Sequence, residues 1–465
     1  MSNIKNATHI PVDLLRKYDR PGPRYTSYPT VPVWSDKVGD KEYRSALKAA
    51  SAKESDSIAV YSHIPFCRKR CFYCGCNTCI VKDVQATKPY VDALINEIRQ
   101  TAALLRPRKG MSQLHFGGGT PTFLDIEGLG QILDTLESEF DAIDGCEKSI
   151  EIDPRVTSLE QVDFLVERGF NRVSLGVQDF DLEVQQASGR IQSEDLVARM
   201  LEHCRKLNFR GINFDLIYGL PLQSPQKFSH TLDQTIALRP DRLAIYSFAY
   251  LPNLKSNQAR IKAEDLPPAE IKYHLFAIAV EKLTAAGYLQ IGMDHFALPE
   301  DELSVAQGDG RLQRNFMGYT VQSSADMIGL GMSSIGYVDN CFFQNLAQIA
   351  DYQNRMNENQ FSVYRGLQLS EEDLIRQHVI TSLMCNFHLD YSTLQTRFEL
   401  DYKKHFEAEH SRLTDFFEDG FLTESESSLS VTELGRTFVR NIAMTYDAYL
   451  TDGKSSGKAT FSRTI

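Results

Sequence analysis

The sequence contains one cysteine-rich loop: five of the nine cysteines fall between positions 67 and 79, at Cys67, Cys71, Cys74, Cys76 and Cys79. The first three have the spacing C-x3-C-x2-C. Three thiolates on so short a loop can bind three irons of a 4Fe–4S cluster and leave the fourth iron without a protein ligand. A cluster with an open coordination site can act on a bound molecule as well as store an electron. The loop therefore predicts reductive radical chemistry.

Zinc is the main alternative metal for such a loop. Zinc sites usually take four ligands from two spaced pairs, whereas here no distant cysteine or histidine pair has zinc spacing. Thiolates are also the soft ligands that iron–sulfur clusters use, so we favour iron–sulfur over zinc and over free thiols. The remaining cysteines stand alone, and we expect them to be small core residues: Cys146, Cys204, Cys341 and Cys385.

A glycine run follows the next predicted strand. The strand covers residues 113–117, and the run is Gly117-Gly-Gly-Thr-Pro121. Glycines at such a place let the backbone approach a ligand closely and expose its N–H groups. The run lacks the patterns of dinucleotide and P-loop folds, and alone it is also typical of a plain turn. Its position one strand after the cysteine loop makes a cofactor site the better interpretation.

The composition is that of an ordinary globular protein, with 465 residues and a net charge of −11. The acidic balance argues against a nucleic-acid partner. The N-terminus has no charged head followed by an apolar stretch, so we expect no signal peptide. No run approaches the roughly 20 apolar residues that cross a bilayer. We therefore expect a cytoplasmic protein with reduced thiols and no membrane partner.

Short β-rich runs alternate with helical stretches from about residue 57. Such alternation is typical of βαβ units with a parallel sheet, and it predicts an α/β fold with a partial (β/α) barrel. The predicted strands cover 57–63, 113–117, 149–153, 172–177, 212–218 and 242–247. In these folds chemistry gathers at the carboxyl ends of the strands. Conspicuous polar residues are predicted there, namely Glu151, Asp153, Gln178 and Asp215.

The flanks of the chain differ from this barrel. Residues 1–50 are predicted to be an N-terminal arm or lid and not a core element, since prolines interrupt residues 21–30. Residues 51–370 form the predicted barrel with an extension. Residues 371–465 are predicted to be a mostly helical, winged-helix-like domain with a β-ribbon at 420–432. Its acidic balance favours a packing role over DNA binding.

The cysteine spacing after strand one and the glycine run after strand two resemble the radical S-adenosylmethionine (radical SAM) superfamily. Further stretches resemble the oxygen-independent coproporphyrinogen III oxidase family almost end to end. These stretches are Pro23-Arg-Tyr-Thr-Ser-Tyr-Pro-Thr30, His63-Ile-Pro-Phe-Cys67, Cys74-Gly-Cys-Asn77, Gly176-Val-Gln-Asp-Phe180, Asp215-Leu-Ile-Tyr-Gly-Leu-Pro221, Gly292-Met-Asp-His-Phe-Ala297 and Arg314-Asn-Phe-Met-Gly-Tyr319.

The resemblance implies a partial barrel of radical SAM type, a 4Fe–4S cluster and two S-adenosylmethionine molecules. One-electron cleavage of each would give a 5′-deoxyadenosyl radical, which removes a β-hydrogen from a propionate of coproporphyrinogen III. Loss of carbon dioxide and an electron leaves a vinyl group. Two such steps give protoporphyrinogen IX in haem biosynthesis. A low-potential donor such as a flavodoxin or ferredoxin would supply the electron, and we expect a monomer.

The resemblance also implies roles for particular residues. The cluster ligands would be Cys67, Cys71 and Cys74. The first S-adenosylmethionine would contact Tyr61, Tyr73, Gly118, Glu151 and Ile335. The second would contact Gly119, Thr120, Gln178, Arg190, Asp215 and Ala249. Cys76 and Tyr61 are the catalytic candidates, although Cys76 could equally be structural and the pattern alone would place Tyr61 in the core. Arg24 and Arg314 are candidates for binding the substrate carboxylates.

Two other functions stay open at this point. A related haem chaperone would keep the cluster but deliver haem without dehydrogenation; the Cys-Gly-Cys-Asn run and the Arg-Tyr-Thr-Ser-Tyr-Pro-Thr arm favour the enzyme. A radical enzyme that modifies nucleic acid is disfavoured by the acidic balance of the chain.

Overall fold

The computed structural model describes residues 11–322, 324–451, 461, 463 and 464. It divides into two compact units. The barrel unit comprises Ser35–Pro267 and Gln322–Gln368, and the second unit comprises Met1–Trp34, Pro268–Val321 and Leu369–Ile465. The first ten residues of the predicted arm lie outside the described residues. The predicted three-part division at residues 50 and 370 cuts the chain differently and stays a prediction.

The barrel unit contains six parallel strands that alternate with helices, which confirms the predicted partial (β/α) barrel. We label them β1 to β6 in chain order: Ile58–Ile64, Gly110–Gly118, Asp141–Ile152, Arg172–Gln178, Gly211–Tyr218 and Arg242–Ser247. They lie side by side in the same order as in the chain. Each predicted strand is present, although β3 begins at Asp141, well before the predicted start.

Four further strands extend the sheet on the other side of β1, and the sequence did not predict them. Asp326–Leu330 pairs parallel with β1, and the other three follow antiparallel at Ile335–Val338, Cys341–Asn345 and Val363–Gln368. Asp326–Leu330 and Cys341–Asn345 are buried at every residue. The alternation of apolar and polar residues that reveals a half-buried strand is therefore missing there.

Five of the eight described helices of the barrel unit begin after a serine or an aspartate whose side chain caps the first turn. Before Leu159–Glu167, Ser158 Oγ accepts the N–H of Gln161 at 3.2 Å, and Gln161 Oε1 accepts the N–H of Ser158 at 3.0 Å. This reciprocal capping box satisfies two N–H groups that the helix itself leaves unpaired. The other helices are Asp40–Ser51, Lys88–Leu105, Ile126–Glu139, Leu182–Ser188, Glu194–Lys206, Pro225–Leu238 and Ile349–Asn357, with short 3-10 turns at Val84–Thr87, Pro121–Phe123, Ser256–Arg260 and Ala263–Asp265.

Three of the four isolated cysteines are buried, as predicted: Cys204, Cys341 and Cys385. Cys146 is only half-buried, and its predicted place in the core is wrong. Cys146 follows the first part of β3, where the residues from Asp141 to Gly145 are exposed. This end of the strand is therefore not covered by the core, and the side chain of Cys146 is only partly buried.

The second unit is mostly helical. Its helices are Val12–Tyr18, Ala269–Ala285, Glu302–Gly308, Glu371–Asn386, Tyr391–Phe398, Tyr402–His405, Glu407–Ser411, Thr414–Glu418, Val439–Ala443 and Ala448–Thr451, with 3-10 turns at Val31–Val33, Leu434–Phe438 and Met444–Tyr446. Strands Leu422–Glu424 and Ser428–Val431 form the predicted ribbon, and His388–Asp390 pairs with it. Two hairpins complete the unit, Leu289–Ile291 with His295–Ala297 and Gln313–Asn315 with Gly318–Thr320.

Part of the predicted arm belongs to the core of the second unit, contrary to the expectation that it would not. Tyr18, Tyr25 and Tyr28 are buried among apolar side chains of the C-terminal helices. The ring of Tyr18 stacks on Phe416 with centroids 5.0 Å apart. The prolines do prevent regular structure after Tyr18, but the aromatic side chains between them still pack. Among the described residues, no helix has the length and apolar character needed to cross a membrane.

Arg108 is fully buried in the barrel unit and generates a stability prediction. Its guanidinium donates to Asp326 Oδ2 at 2.6 Å and to the carbonyls of Ala50, Asp56 and Ser57. Arg108→Ala would leave the buried Asp326 carboxylate with the N–H of Asp339 and the half-buried Lys53, 3.7 Å away, so we expect a loss of about 3–5 kcal/mol of unfolding free energy. Denaturant unfolding followed by circular dichroism measures it. Lys88→Ala, at an exposed pair with Asp92, should change stability by less than about 0.5 kcal/mol; equal effects would contradict the prediction.

Candidate functional site

A cavity of about 720 Å³ lies at the carboxyl ends of the parallel strands of the barrel unit. It brings together most of the predicted site residues. Its lining includes the cysteines Cys67, Cys71, Cys74 and Cys76 together with Tyr73, Gly118, Gly119, Thr120, Glu151, Gln178, Arg190, Asp215 and Ala249. Residues that are far apart in the chain therefore share one site, as the parallel topology predicted.

Four predicted residues do not line this cavity. Tyr61 lies beside it: its ring stacks on His115, which is 3.5 Å from Glu151. Ile335 lies on the antiparallel extension of the sheet. Arg24 and Arg314 belong to the second unit, where Arg314 donates to the carbonyl of Arg24 at 3.2 Å. The roles predicted for these residues stay predictions.

The cysteine loop places its thiols in different surroundings. Cys67 lies on a two-residue strand that pairs with Cys79–Ile80, and burial raises the pKa of its thiol to about 12. The hydrogen bond from Cys76 lowers the pKa of Cys74 to about 6, and the same bond raises the pKa of Cys76. Cys76 is exposed, and its raised pKa keeps the proton that its thiol donates to Cys74.

Two residues that the sequence analysis missed hold this loop by its backbone. Asn257 Nδ2 lies 3.1, 3.0 and 2.9 Å from the carbonyl oxygens of Cys71, Phe72 and Cys74. Gln258 Nε2 donates to the carbonyl of Tyr73 at 3.0 Å. Both lie in the 3-10 turn that follows β6. Only their position after the carboxyl end of a barrel strand could have indicated them, because their residue types carry no metal or cofactor signal.

A cluster of three charged side chains lies against Cys71. Asp153 Oδ2 accepts from Arg155 at 2.6 Å and from Arg190 at 2.9 Å. Burial opposes ionisation of Asp153, but the two arginines outweigh it and lower the pKa of the carboxyl group. The guanidiniums also lie 3.8 and 3.9 Å from Cys71 Sγ. Arg155 is a third functional candidate that the sequence analysis missed.

The glycine run lies close against the cysteine loop, but its N–H groups are not exposed as predicted, since those of Gly118, Gly119 and Thr120 donate to Glu151, Ile64 and Phe66. Gly118 adopts a φ of +117°, and its N–H donates to Glu151 Oε2 at 3.1 Å. A Cβ added at Gly119 would lie 2.7 Å from the carbonyl oxygen of Pro65, so only glycine lets the run pass this close to the cysteine loop. Burial opposes the charged form of Glu151, yet His115 and the Gly118 N–H together lower the pKa of the carboxyl group.

The floor of the cavity carries further fixed polar groups. Asp215 accepts from Ser174 Oγ at 2.9 Å and from Asn213 Nδ2 at 2.8 Å. Its position within β5 places it deeper than the strand ends at which the sequence predicted it. Gln178, at the end of β4, adopts a φ of +70°, which a residue other than glycine rarely does. Strain of this kind commonly accompanies functional sites.

The residues present fit an iron–sulfur cluster. The thiols of Cys67, Cys71 and Cys74 line one cavity, and thiolates are the usual donors to such clusters. No three histidine, cysteine or acidic side chains within the described ranges converge on a single metal-ion position. Cluster ligands need no such convergence, because each sulfur binds a different iron.

Comparisons with known proteins agree with this geometry. Residues 61–235 match the Radical SAM superfamily model, and residues 369–438 match the HemN C-terminal domain model. The oxygen-independent coproporphyrinogen III oxidase of Pseudomonas aeruginosa is 43% identical over 97% of this chain and 98% of its own length. The Escherichia coli protein of the same name is 41% identical over 94% of this chain and 95% of its own length. The solved structure of coproporphyrinogen III oxidase (HemN) from Escherichia coli, described as a radical SAM enzyme, has a TM-score of 0.90 at 39% identity and covers 96% of this chain and 100% of that one.

The contacts of Asn257 generate a prediction about the cysteine loop. Asn257→Ala removes the amide from three loop carbonyls, at about 1 kcal/mol for each hydrogen bond lost, and the loop should hold its metal less firmly. After anaerobic reconstitution with iron and sulfide, we expect the variant to bleach at least several-fold faster than the parent protein when a chelator is added. The matched control is Asn354→Ala, on the exposed side of a helix. Bleaching at the parent rate would show that the loop does not depend on Asn257.

Proposed function

The chain belongs to the family of oxygen-independent coproporphyrinogen III oxidases, and we propose on this premise that it converts two propionate side chains of coproporphyrinogen III to vinyl groups. The product is protoporphyrinogen IX, an intermediate in haem synthesis. The enzyme is a radical SAM oxidoreductase that uses a 4Fe–4S cluster and S-adenosylmethionine. The observation that carries the proposal is the single cavity that holds the thiol triad, the glycine run and a set of fixed charges.

Cys67, Cys71 and Cys74 would hold the cluster in this cavity. When bound, the cluster and S-adenosylmethionine supply the electron and the hydrogen-abstracting radical that the reaction needs. The task of the chain is to orient these groups and exclude water from them. Asn257 and Gln258 contribute by holding the loop backbone, so that the three sulfurs keep fixed positions.

The first S-adenosylmethionine would lie between the glycine run and Tyr73. Glu151 supports this assignment, since its lowered pKa keeps the carboxylate charged and the residue lines the cavity. A charged carboxylate at this place suits the cationic groups of S-adenosylmethionine. Gly118 holds the carboxylate through its N–H and so fixes its direction. Tyr61 and Ile335 complete the proposed set.

A second S-adenosylmethionine molecule is also part of the proposal. Its contacts would be Gly119, Thr120, Gln178, Arg190, Asp215 and Ala249. Asp215 is held by Ser174 and Asn213 and can still accept from ribose hydroxyls, as acidic residues do in other nucleotide sites. Arg190 is a cation that a carboxylate could pair with.

The partners and setting complete the proposal. A low-potential donor such as a flavodoxin or ferredoxin would supply electrons, and the protein would work as a cytoplasmic monomer without a nucleic-acid partner. The net charge of −11 supports the last point. Arg24 and Arg314 would bind propionates; the side chain of Arg24 is 29% exposed and lies 3.8 Å from Asp294.

Product analysis separates this enzyme from a haem chaperone. Protein reconstituted anaerobically with iron and sulfide should convert coproporphyrinogen III to protoporphyrinogen IX when S-adenosylmethionine and a strong reductant are present, as measured by mass spectrometry. Cys71→Ala should lose both the cluster and the product, whereas Cys79→Ala should keep both. Stable haem uptake without any vinyl product would support the chaperone, and absence of 5′-deoxyadenosine would refute radical chemistry altogether.

Arg24 generates a prediction about substrate binding. Arg24→Ala should raise KM for the porphyrinogen by at least about tenfold, because one charge-assisted hydrogen bond contributes roughly 1.5–3 kcal/mol. Cleavage of S-adenosylmethionine without substrate should continue at the parent rate. Steady-state kinetics with chromatographic detection of 5′-deoxyadenosine measures both. Arg20→Ala is the matched control in the same segment, since Arg20 is exposed. An unchanged KM in Arg24→Ala would remove Arg24 from the substrate site.

A further inference from the structure

The three charges beside Cys71 carry a positive excess. Two guanidiniums, from Arg155 and Arg190, share the single carboxylate of Asp153. Arginine keeps its proton at any pH that proteins experience, so this cluster has a net charge of +1. Asp153 and Arg190 are 7% and 8% exposed. A buried excess charge is costly unless an anion compensates it, and the nearest candidate is the sulfur of Cys71.

Cys71 differs in this respect from the other two predicted ligands. Its sulfur faces Nη2 of Arg155 at 3.8 Å and Nη1 of Arg190 at 3.9 Å. The sulfur of Cys67 lies 3.7 Å from the neutral hydroxyl of Thr120. The sulfur of Cys74 is hydrogen-bonded to the thiol of Cys76. The net charge of this three-residue cluster therefore lies against one corner of the ligand triad, whereas, among the described residues, Arg70 and Lys255 act on Cys74 without a guanidinium contact of this kind to its sulfur.

Arg155 is held in place with little freedom. Its Nε and Nη2 both donate to Asp153, and its own backbone N–H donates to Asp153 Oδ1 at 3.1 Å. The carboxylate of Asp153 thus accepts hydrogen bonds from both the backbone and the side chain of Arg155. Nη2, which donates to Asp153, is also the atom that reaches Cys71, so the geometry of Asp153 sets the distance between the cation and the sulfur.

We propose that Arg155, held by Asp153, is a positioning residue that raises the reduction potential of the cluster through the Cys71 thiolate. The proposal rests on the proposed function only in taking Cys71 as a cluster ligand. Reduction adds one electron from the donor to the cluster and requires no proton. A fixed cation beside a ligand sulfur stabilises the reduced, more negative state more than the oxidised one. The donor can then reduce the cluster more readily.

An anaerobic redox titration followed by electron paramagnetic resonance tests this inference. Arg155→Met removes the charge and keeps a long side chain, and its cluster should have a more negative midpoint potential than the parent. Arg155→Lys keeps the charge and should recover most of the shift. The control is Arg260→Met: Arg260 lies over the ring of Phe72 at 4.1 Å in the same region but does not line the cavity, and its midpoint should match that of the parent.

Each result of this titration decides the matter. An unshifted midpoint in Arg155→Met with full iron content overturns the proposal, as does an equal shift in Arg260→Met. If Arg155→Met binds too little iron to titrate, Arg155→Lys decides: a full cluster with the parent midpoint supports the charge, and loss of iron in both variants overturns it. If the parent protein binds iron and forms vinyl product while the midpoint potential of Arg155→Met is unshifted, only the inference about Arg155 is refuted. If the parent protein binds no iron, the proposed function itself is refuted.

Discussion

The chemistry of the cavity depends on one backbone constraint: the carbonyl groups of the cysteine loop are tied to residues outside it. The loop has only a two-residue strand at each end, so regular structure does not fix its sulfurs. Asn257 instead binds three of its carbonyls, and the N–H groups of Gly119 and Thr120 donate to the carbonyls of Ile64 and Phe66. The three thiols of Cys67, Cys71 and Cys74 can then face one cavity.

The parts of the fold that follow a simple period were predictable, and the parts that depend on long-range packing were not. The strands of the barrel were recognised from short apolar runs, and the cysteine spacing identified the loop. Asn257 and Arg155 were missed, because an amide and a guanidinium acquire their roles only when β6 and β3 bring them to the loop. The burial of Tyr18 in the predicted arm was missed, since proline content describes the backbone and says nothing of where aromatic rings pack.

The charge of the whole chain and the charge of the cavity have opposite signs, and only the first can be read from composition. The chain carries −11, which argues against a nucleic-acid surface. The cavity is nevertheless lined by Arg70, Arg155, Arg190 and Lys255. Thiolates and carboxylates are anions, so a cationic lining suits them. The net charge of the chain therefore constrains which class of macromolecule can be a partner, but it does not predict the charge of a small-molecule site.

The hydrogen bonds around Tyr61 restrict what this residue can do if it is catalytic. His63 Nε2 lies 3.0 Å from the carbonyl oxygen of Asn77, and a carbonyl only accepts, so Nε2 carries the proton. Burial lowers the pKa of His63 and keeps the ring neutral; Nδ1 must then accept from the Tyr61 hydroxyl at 3.0 Å. Burial also raises the pKa of Tyr61, so its proton stays in this bond. Toward a cofactor, Tyr61 can therefore offer only oxygen lone pairs, which makes it an acceptor for a cationic or N–H group and excludes it as a proton donor.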